Sequence, residues 1–243
     1  MTPVQLVCFH HAGGGPAAFT PLLRGLGDDI PVVTVKLPGR DVRANEPRLV
    51  DATECVRLLA NELAGTLARP HVFLGHSMGA ILAYSLAQQR ITAGLPAPEA
   101  VIVVANRAPH LCRPGDELER ADDAKLAADL VRCGGLPAKI LSRPDWLQQL
   151  MPVIRDDLRV VFSYRYSGEP PLSCPLHIFG GRDDPLASPD ELHAWSKHST
   201  QAHPVRLFDS GHFLFRRPDP ALIAAIRGVV DHANRNRNRK GIR

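Results

Sequence analysis

The sequence predicts an α/β fold with a mostly parallel central sheet flanked by helices. Three observations carry this. Strand-like apolar runs alternate with helix-like segments along the chain, two of those runs are apolar on both faces, and one strand-to-helix junction holds the pentapeptide Gly75-His76-Ser77-Met78-Gly79. At 243 residues and 44% hydrophobic content the chain can bury a full core, and that size suits one domain over residues 1–233 better than two.

The first run, 4–9, reads as a buried strand. It leads into His10-His11-Ala12-Gly13-Gly14-Gly15, a flexible loop able to point backbone N–H groups at a ligand. Such a loop can also cradle phosphate, but it has no G-x-G-x-x-G or G-K-[S/T] pattern, so the phosphate reading fails. The runs 31–36 and 100–105 contain Val32-Val33-Thr34-Val35 and Val101-Ile102-Val103-Val104, apolar on both faces as strands covered by helices on each side should be. Between them the run 71–75 enters the pentapeptide, and Ala80, Ile81, Leu82, Tyr84, Leu86 and Ala87 follow at helical spacing. Two glycines permit a sharp strand-to-helix turn that lifts the Ser77 hydroxyl clear of the sheet as a nucleophile. An ordinary glycine-rich turn is the competing reading; strand before and helix after argue against it.

The long stretch from 105 to the next strand, 176–180, has its own character. A loop containing Arg107, Pro109, Pro114 and Gly115 precedes a helix-like run from Leu118 to Val131. After Gly134-Gly135 and Pro144, Leu147, Leu150, Met151, Ile154, Leu158 and Val161 recur at three- or four-residue steps, with Pro152 expected to kink that helix. An apolar helical insertion of this length, about 111–170, is expected to act as a lid rather than only to pack on the sheet.

A serine hydroxyl needs a histidine base, and the base needs an acid to fix its tautomer. In this architecture the chain order is serine, acid, histidine, each on a loop after a strand. Of eleven histidines, His10, His11, His71 and His76 precede or adjoin Ser77, and His193 and His198 sit in the helix-like stretch Pro189 to Lys197. His212 instead follows the last strand-like run, 203–208, just after Gly211, and is the expected base. The acid should follow the run 176–180, where Asp183 and Asp184 compete; Pro185 fixes the turn after Asp184 and favours it. The backbone N–H groups of Met78 and Ala12 are the expected oxyanion hole.

Six motifs together, Cys8-Phe9-His10-His11-Ala12-Gly13-Gly14, Leu37-Pro38-Gly39-Arg40, Gly75-His76-Ser77-Met78-Gly79-Ala80, Arg107-Ala108-Pro109-His110, Gly180-Gly181-Arg182-Asp183-Asp184-Pro185 and Gly211-His212-Phe213, span nearly the whole chain. They resemble the type II thioesterases of the α/β-hydrolase superfamily, the stand-alone editing enzymes of polyketide and nonribosomal peptide assembly lines. The resemblance implies Ser77, Asp184 and His212 as the catalytic triad, and Ala12 and Met78 as the oxyanion hole. It also implies acyl thioesters on the phosphopantetheine arm of acyl or peptidyl carrier proteins as substrates, with no cofactor or metal of the enzyme's own. A medium-chain fatty acyl thioesterase and a small-molecule carboxylesterase are the neighbouring alternatives. A catalytically silent binding protein on this fold is the non-enzyme alternative, which a missing triad member would suggest; none is missing. One departure stands out: His10 occupies the place of the family's usual proline, so the first loop lacks that residue's stiffness.

Composition bears on location and partners. Met1 to Gln5 holds no basic segment leading into an apolar core, and no apolar run approaches spanning length, so a cytoplasmic monomer free of the membrane is expected. Cys8, Cys55, Cys112, Cys133 and Cys174 are odd in number and lack metal-ligand spacing, which argues against disulfides and zinc. The net charge is +4, yet residues 234–243 carry five basic groups, leaving the remainder at about −1. That distribution argues against nucleic-acid binding, and the basic segment 234–243 reads as a disordered, solvated tail.

Overall fold

Strands that are apolar on both faces need cover on both sides, and the sheet has it. The computed structural model describes residues 2–112 and 120–240. Its strands are β1 (Gln5–Phe9), β2 (Val32–Thr34), β3 (His71–His76), β4 (Ala100–Val104), β5 (Leu172–Gly181), β6 (Ser199–Ala202) and β7 (Arg206–Phe208). Its helices are α1 (Thr20–Leu26), α2 (Ala52–Glu62), α3 (Met78–Thr92), α4 (Asp123–Arg132), α5 (Pro144–Ser163), α6 (Pro189–His193) and α7 (Pro220–Lys240). The sheet runs β2-β1-β3-β4-β5-β6, with β7 also on β5, and every pairing among these strands is parallel. Alternate residues of β1 feed two separate cores. Val7 and Phe9 pack with residues of α2 and α3, whereas Leu6 and Cys8 pack with residues of α1 and α7.

Differences from the sequence expectation have physical causes. β5 begins at Leu172 rather than 176, taking Pro175 into the strand where the register with β6 shifts. The expected run 203–208 is strand only over Arg206–Phe208, and a second strand, β6, precedes it. Ser199-Thr200-Gln201-Ala202 has no apolar pattern because β6 ends the sheet and leaves Thr200 and Gln201 exposed. β6 and β7 pair with successive parts of β5, Leu172–Leu176 and Phe179–Gly181.

Within the insertion, Asp122 caps α4 by accepting from the Lys125 N–H at 2.7 Å. The helix-like run expected from Leu118 starts outside the described residues, as do Pro114 and Gly115. α5 continues through Pro152 without a break in its assignment. The segment 234–240, expected to be disordered, instead completes α7. Two long-range contacts order it: Asn234 Oδ1 accepts the Val4 N–H at 2.9 Å, and Arg237 pairs with Glu99 at 2.8 Å. Residues 241–243 lie outside the described residues. Among the described residues no helix is long and apolar enough to cross a membrane.

Several histidines are packed into this framework as neutral rings. Burial pushes His71 and His198 down to about 4, and His76 and His177 down to about 3, from an ordinary value of 6.5. The unfolded chain therefore binds these protons near pH 6.5 while the folded chain refuses them until pH 3 to 4. Stability contributed this way is present above pH 6.5 and is lost as pH falls toward 4. The urea midpoint is expected to decline steadily from pH 7 to pH 4; a midpoint constant over that range would contradict the buried neutral rings.

Candidate active site

Ser77 is one of three non-glycine residues with a positive φ among the described residues. Ser77 sits at φ 53° and ψ −119°, a conformation that favours glycine, with its N–H donating to the Val104 carbonyl at 2.9 Å. α3 starts at the next residue, so β3, Ser77 and helix follow without an intervening loop. The flanking glycines make the close approach possible. A Cβ on Gly75 would stand 2.5 Å from the Ala80 Cα, and one on Gly79 2.5 Å from the Phe9 carbonyl carbon. The start of α3 thus rests directly on the end of β1.

The structure brings Ser77, His212 and Asp184 together from three strand ends. His212 Nε2 lies 2.9 Å from Ser77 Oγ, and His212 Nδ1 lies 2.9 and 3.0 Å from the two carboxylate oxygens of Asp184. The Asp184 side chain is fully buried, and its Oδ1 also accepts the N–H groups of Leu186 and Ala187 at 2.8 and 3.3 Å. Asp183, its competitor, is exposed and holds the turn through its backbone N–H to the Ser210 carbonyl. A group missed in the sequence completes the join: His76 Nε2 lies 2.8 Å from the His212 carbonyl oxygen, a bond it makes as donor. His76, kept neutral by burial, ties the serine turn to the histidine loop.

Of the two residues expected to form the oxyanion hole, Ala12 borders the same cavity as Ser77, and Met78 is the first residue of α3. Among the described residues neither N–H has a protein acceptor, which leaves both available to a negative oxygen. The loop lacks the usual proline yet is held by other means. The His10 ring is buried and its Nδ1 lies 2.9 Å from the His11 carbonyl oxygen. The Gly13 N–H donates to Asp157 Oδ2 at 2.7 Å, and Arg40 donates to the Gly14 carbonyl at 3.0 Å. Asp157 carried a legible signal: a charge three residues past Ile154 and four before Val161, on the apolar face of α5.

Ser77, His212 and Ala12 border a cavity of about 470 Å³. Leu126 and Leu130 of α4 and Leu158, Val161 and Phe162 of α5 line it, so the helical insertion supplies its apolar wall. The N-terminal part of the α5 stripe does not: Leu150 is exposed, and Met151 packs with Leu126 and Ile154. Phe213, next to His212, closes against the insertion at Gly135 and also packs on the His11 ring. All five cysteines are free, with Cys112 and Cys133 on the cavity wall. Among the described residues no group of three or more His, Cys, Asp or Glu could hold a metal ion.

An all-parallel sheet that strains a serine into a strand-to-helix turn, with a histidine and a buried carboxylate aligned behind it, defines a serine hydrolase of the α/β-hydrolase fold. Residues 4–228 match the thioesterase domain family, and the chain belongs to it. Linear gramicidin dehydrogenase LgrE of Brevibacillus parabrevis is 32% identical over 93% of this chain and 88% of its own. The redox activity in that name is said of LgrE; the first strand-loop junction here lacks the G-x-G-x-x-G pattern of dinucleotide binding. RedJ, a thioesterase of the prodiginine pathway in Streptomyces coelicolor, superposes with a TM-score of 0.88 at 32% identity, covering 94% of this chain and 91% of RedJ. YbtT, a type II thioesterase of the yersiniabactin NRPS/PKS pathway, gives 0.86 at 28%, covering 96% and 95%.

The fit of α3 against β1 makes a direct prediction. Gly79→Ala is expected to lower stability by about 3 kcal/mol, at the upper end of overpacking costs, because the added methyl meets backbone that cannot rotate away. Urea unfolding of purified protein measures it; a loss under about 1 kcal/mol would show that the turn has slack.

Proposed function

We propose that this thioesterase removes acyl groups from the phosphopantetheine arm of acyl or peptidyl carrier proteins in polyketide or nonribosomal peptide assembly, as an editing enzyme. One observation carries the reading: the 2.9 Å contact of His212 with Ser77, backed by Asp184, at the edge of an apolar cavity. The chain resembles over nearly its full length both RedJ, a thioesterase of the prodiginine biosynthetic pathway, and YbtT, a type II thioesterase of an NRPS/PKS pathway. The carrier protein is the partner in this reading, and the enzyme acts as a cytoplasmic monomer without a cofactor of its own. The helical insertion serves as the lid of the acyl chamber.

Ser77 Oγ attacks the thioester carbonyl carbon while its proton passes to His212 Nε2. Asp184 holds the Nδ1–H and offsets the charge of the imidazolium. The negative oxygen forms beside the Met78 and Ala12 N–H groups. Collapse breaks the C–S bond, and the Nε2 proton goes to the departing sulfur. Water then gives a proton to Nε2 as its oxygen attacks the acyl-Ser77 ester; Ser77 recovers that proton and the carboxylic acid leaves.

Propionyl-loaded carrier protein is expected to be hydrolysed with a higher kcat/KM than propionyl-coenzyme A, and Ser77→Ala to abolish both reactions and fluorophosphonate labelling. Equal values, or a preference for coenzyme A, would move the assignment to a fatty acyl or small-molecule enzyme. Asp184→Asn is expected to lower kcat by about 10⁴-fold, the scale seen when a triad histidine loses its orienting carboxylate. Asp183→Asn, which alters an exposed side chain, should cost far less, and the reverse ranking would reassign the acid.

A further inference from the structure

We infer that Asp157 and Arg40 act as a pair of positioning residues that set the oxyanion loop, so that the loop is in working register only when α5 is seated. The inference rests on the reading of Ala12 as an oxyanion donor. Asp157 lies in the middle of α5 with its side chain 1% exposed, and Arg40 ends the Leu37-Pro38-Gly39-Arg40 motif with its side chain 8% exposed. The two are joined twice, Arg40 Nη1 to Asp157 Oδ2 and Nη2 to Oδ1, both at 2.6 Å.

Their joint target is the glycine loop. Asp157 Oδ2 takes the Gly13 N–H at 2.7 Å, and Arg40 Nη1 reaches the Gly14 carbonyl at 3.0 Å. The pair therefore fixes the N–H of one residue and the C=O of the next, and among the described residues the Ala12 N–H has no protein acceptor. Gly13 stands at φ 74°, and a Cβ there would lie 2.6 Å from Ile154 Cγ1, one turn before Asp157 on the same helix. Loop and helix are thus locked at the backbone level by a hydrogen bond and by contact.

Stability alone is a poor reason for this arrangement. A buried ion pair loses most of its Coulomb gain to desolvation, and an apolar pair of similar volume often serves the fold equally well. Orientation is what an apolar pair cannot supply. Bidentate guanidinium-carboxylate geometry fixes direction as well as distance, and here it fixes the direction of two peptide groups in the loop that carries Ala12.

The experiment compares Arg40→Met/Asp157→Leu, which leaves no unpaired charge, with Asp157→Asn, which keeps an acceptor for the Gly13 N–H. With propionyl-coenzyme A the double variant is expected to fold, to lose about 10- to 100-fold in kcat, and to keep its KM within about twofold, the pattern of a misplaced donor. Its affinity for trifluoroacetonyl-coenzyme A, whose ketone forms a tetrahedral adduct with serine, should fall by the same factor. Affinity for the unreactive thioether S-propyl-coenzyme A should not change, and Asp157→Asn should retain more kcat than the double variant. Unchanged kcat, a loss confined to KM, equal weakening of both analogues, or failure of both variants to fold would each overturn the inference. Ser77→Ala runs alongside: its full turnover would bring down the nucleophile reading itself, whereas an inactive Ser77→Ala with a fully active double variant would sink only the role of the pair.

Discussion

The parallel direction of the sheet is the constraint from which the rest follows. When every strand points the same way, every carboxyl end opens on the same edge, and loops far apart in sequence meet there. The glycine loop leaves β1, Ser77 leaves β3, Asp184 leaves β5 and His212 leaves β7. A sheet with one of these strands reversed would put its residue at the opposite edge. The helices that cover both faces are what allow the parallel arrangement, since it buries strands that are apolar throughout.

Much of this was legible in the sequence, and the legible parts share a property. Strands such as Val101-Ile102-Val103-Val104 announce themselves because both faces are covered, and the serine turn because only glycine tolerates its packing. Ser77 and His212 could be ordered along the chain by strand and loop alone. Asp184 could not be fully separated from Asp183 there; the separation comes from exposure, 0% for the Asp184 side chain against an exposed neighbour. β6 left no trace because an edge strand needs no apolar face. The basic segment 234–240 misled because its order comes from Val4 and Glu99, residues more than a hundred positions away.

The site is held by polar bonds buried between elements rather than by apolar packing alone. His76 joins the serine turn to the histidine loop, His10 stiffens the loop where proline is absent, and Arg40 with Asp157 ties that loop to α5. Each bond is directional, and each costs desolvation that a purely apolar contact would not. Buried neutral histidines carry a related cost at acid pH, where the unfolded chain competes for protons. The region around the site gives up some stability for fixed orientation, a trade common where a reaction tolerates little positional error.

Ser77 and His212 are separated by 135 positions, and the strand that delivers His212 is the last one of the sheet. A chain growing on the ribosome contains β1, β3 and Ser77 long before the residues of β7 are added. At about 5–20 residues per second, the 135 positions between Ser77 and His212 take about 7 to 27 seconds to make. A neutral serine hydroxyl without an imidazole partner does not attack esters at a useful rate. Under the triad proposed above, the order of the elements places the pairing of serine with imidazole among the last events of synthesis, after β7 has been made.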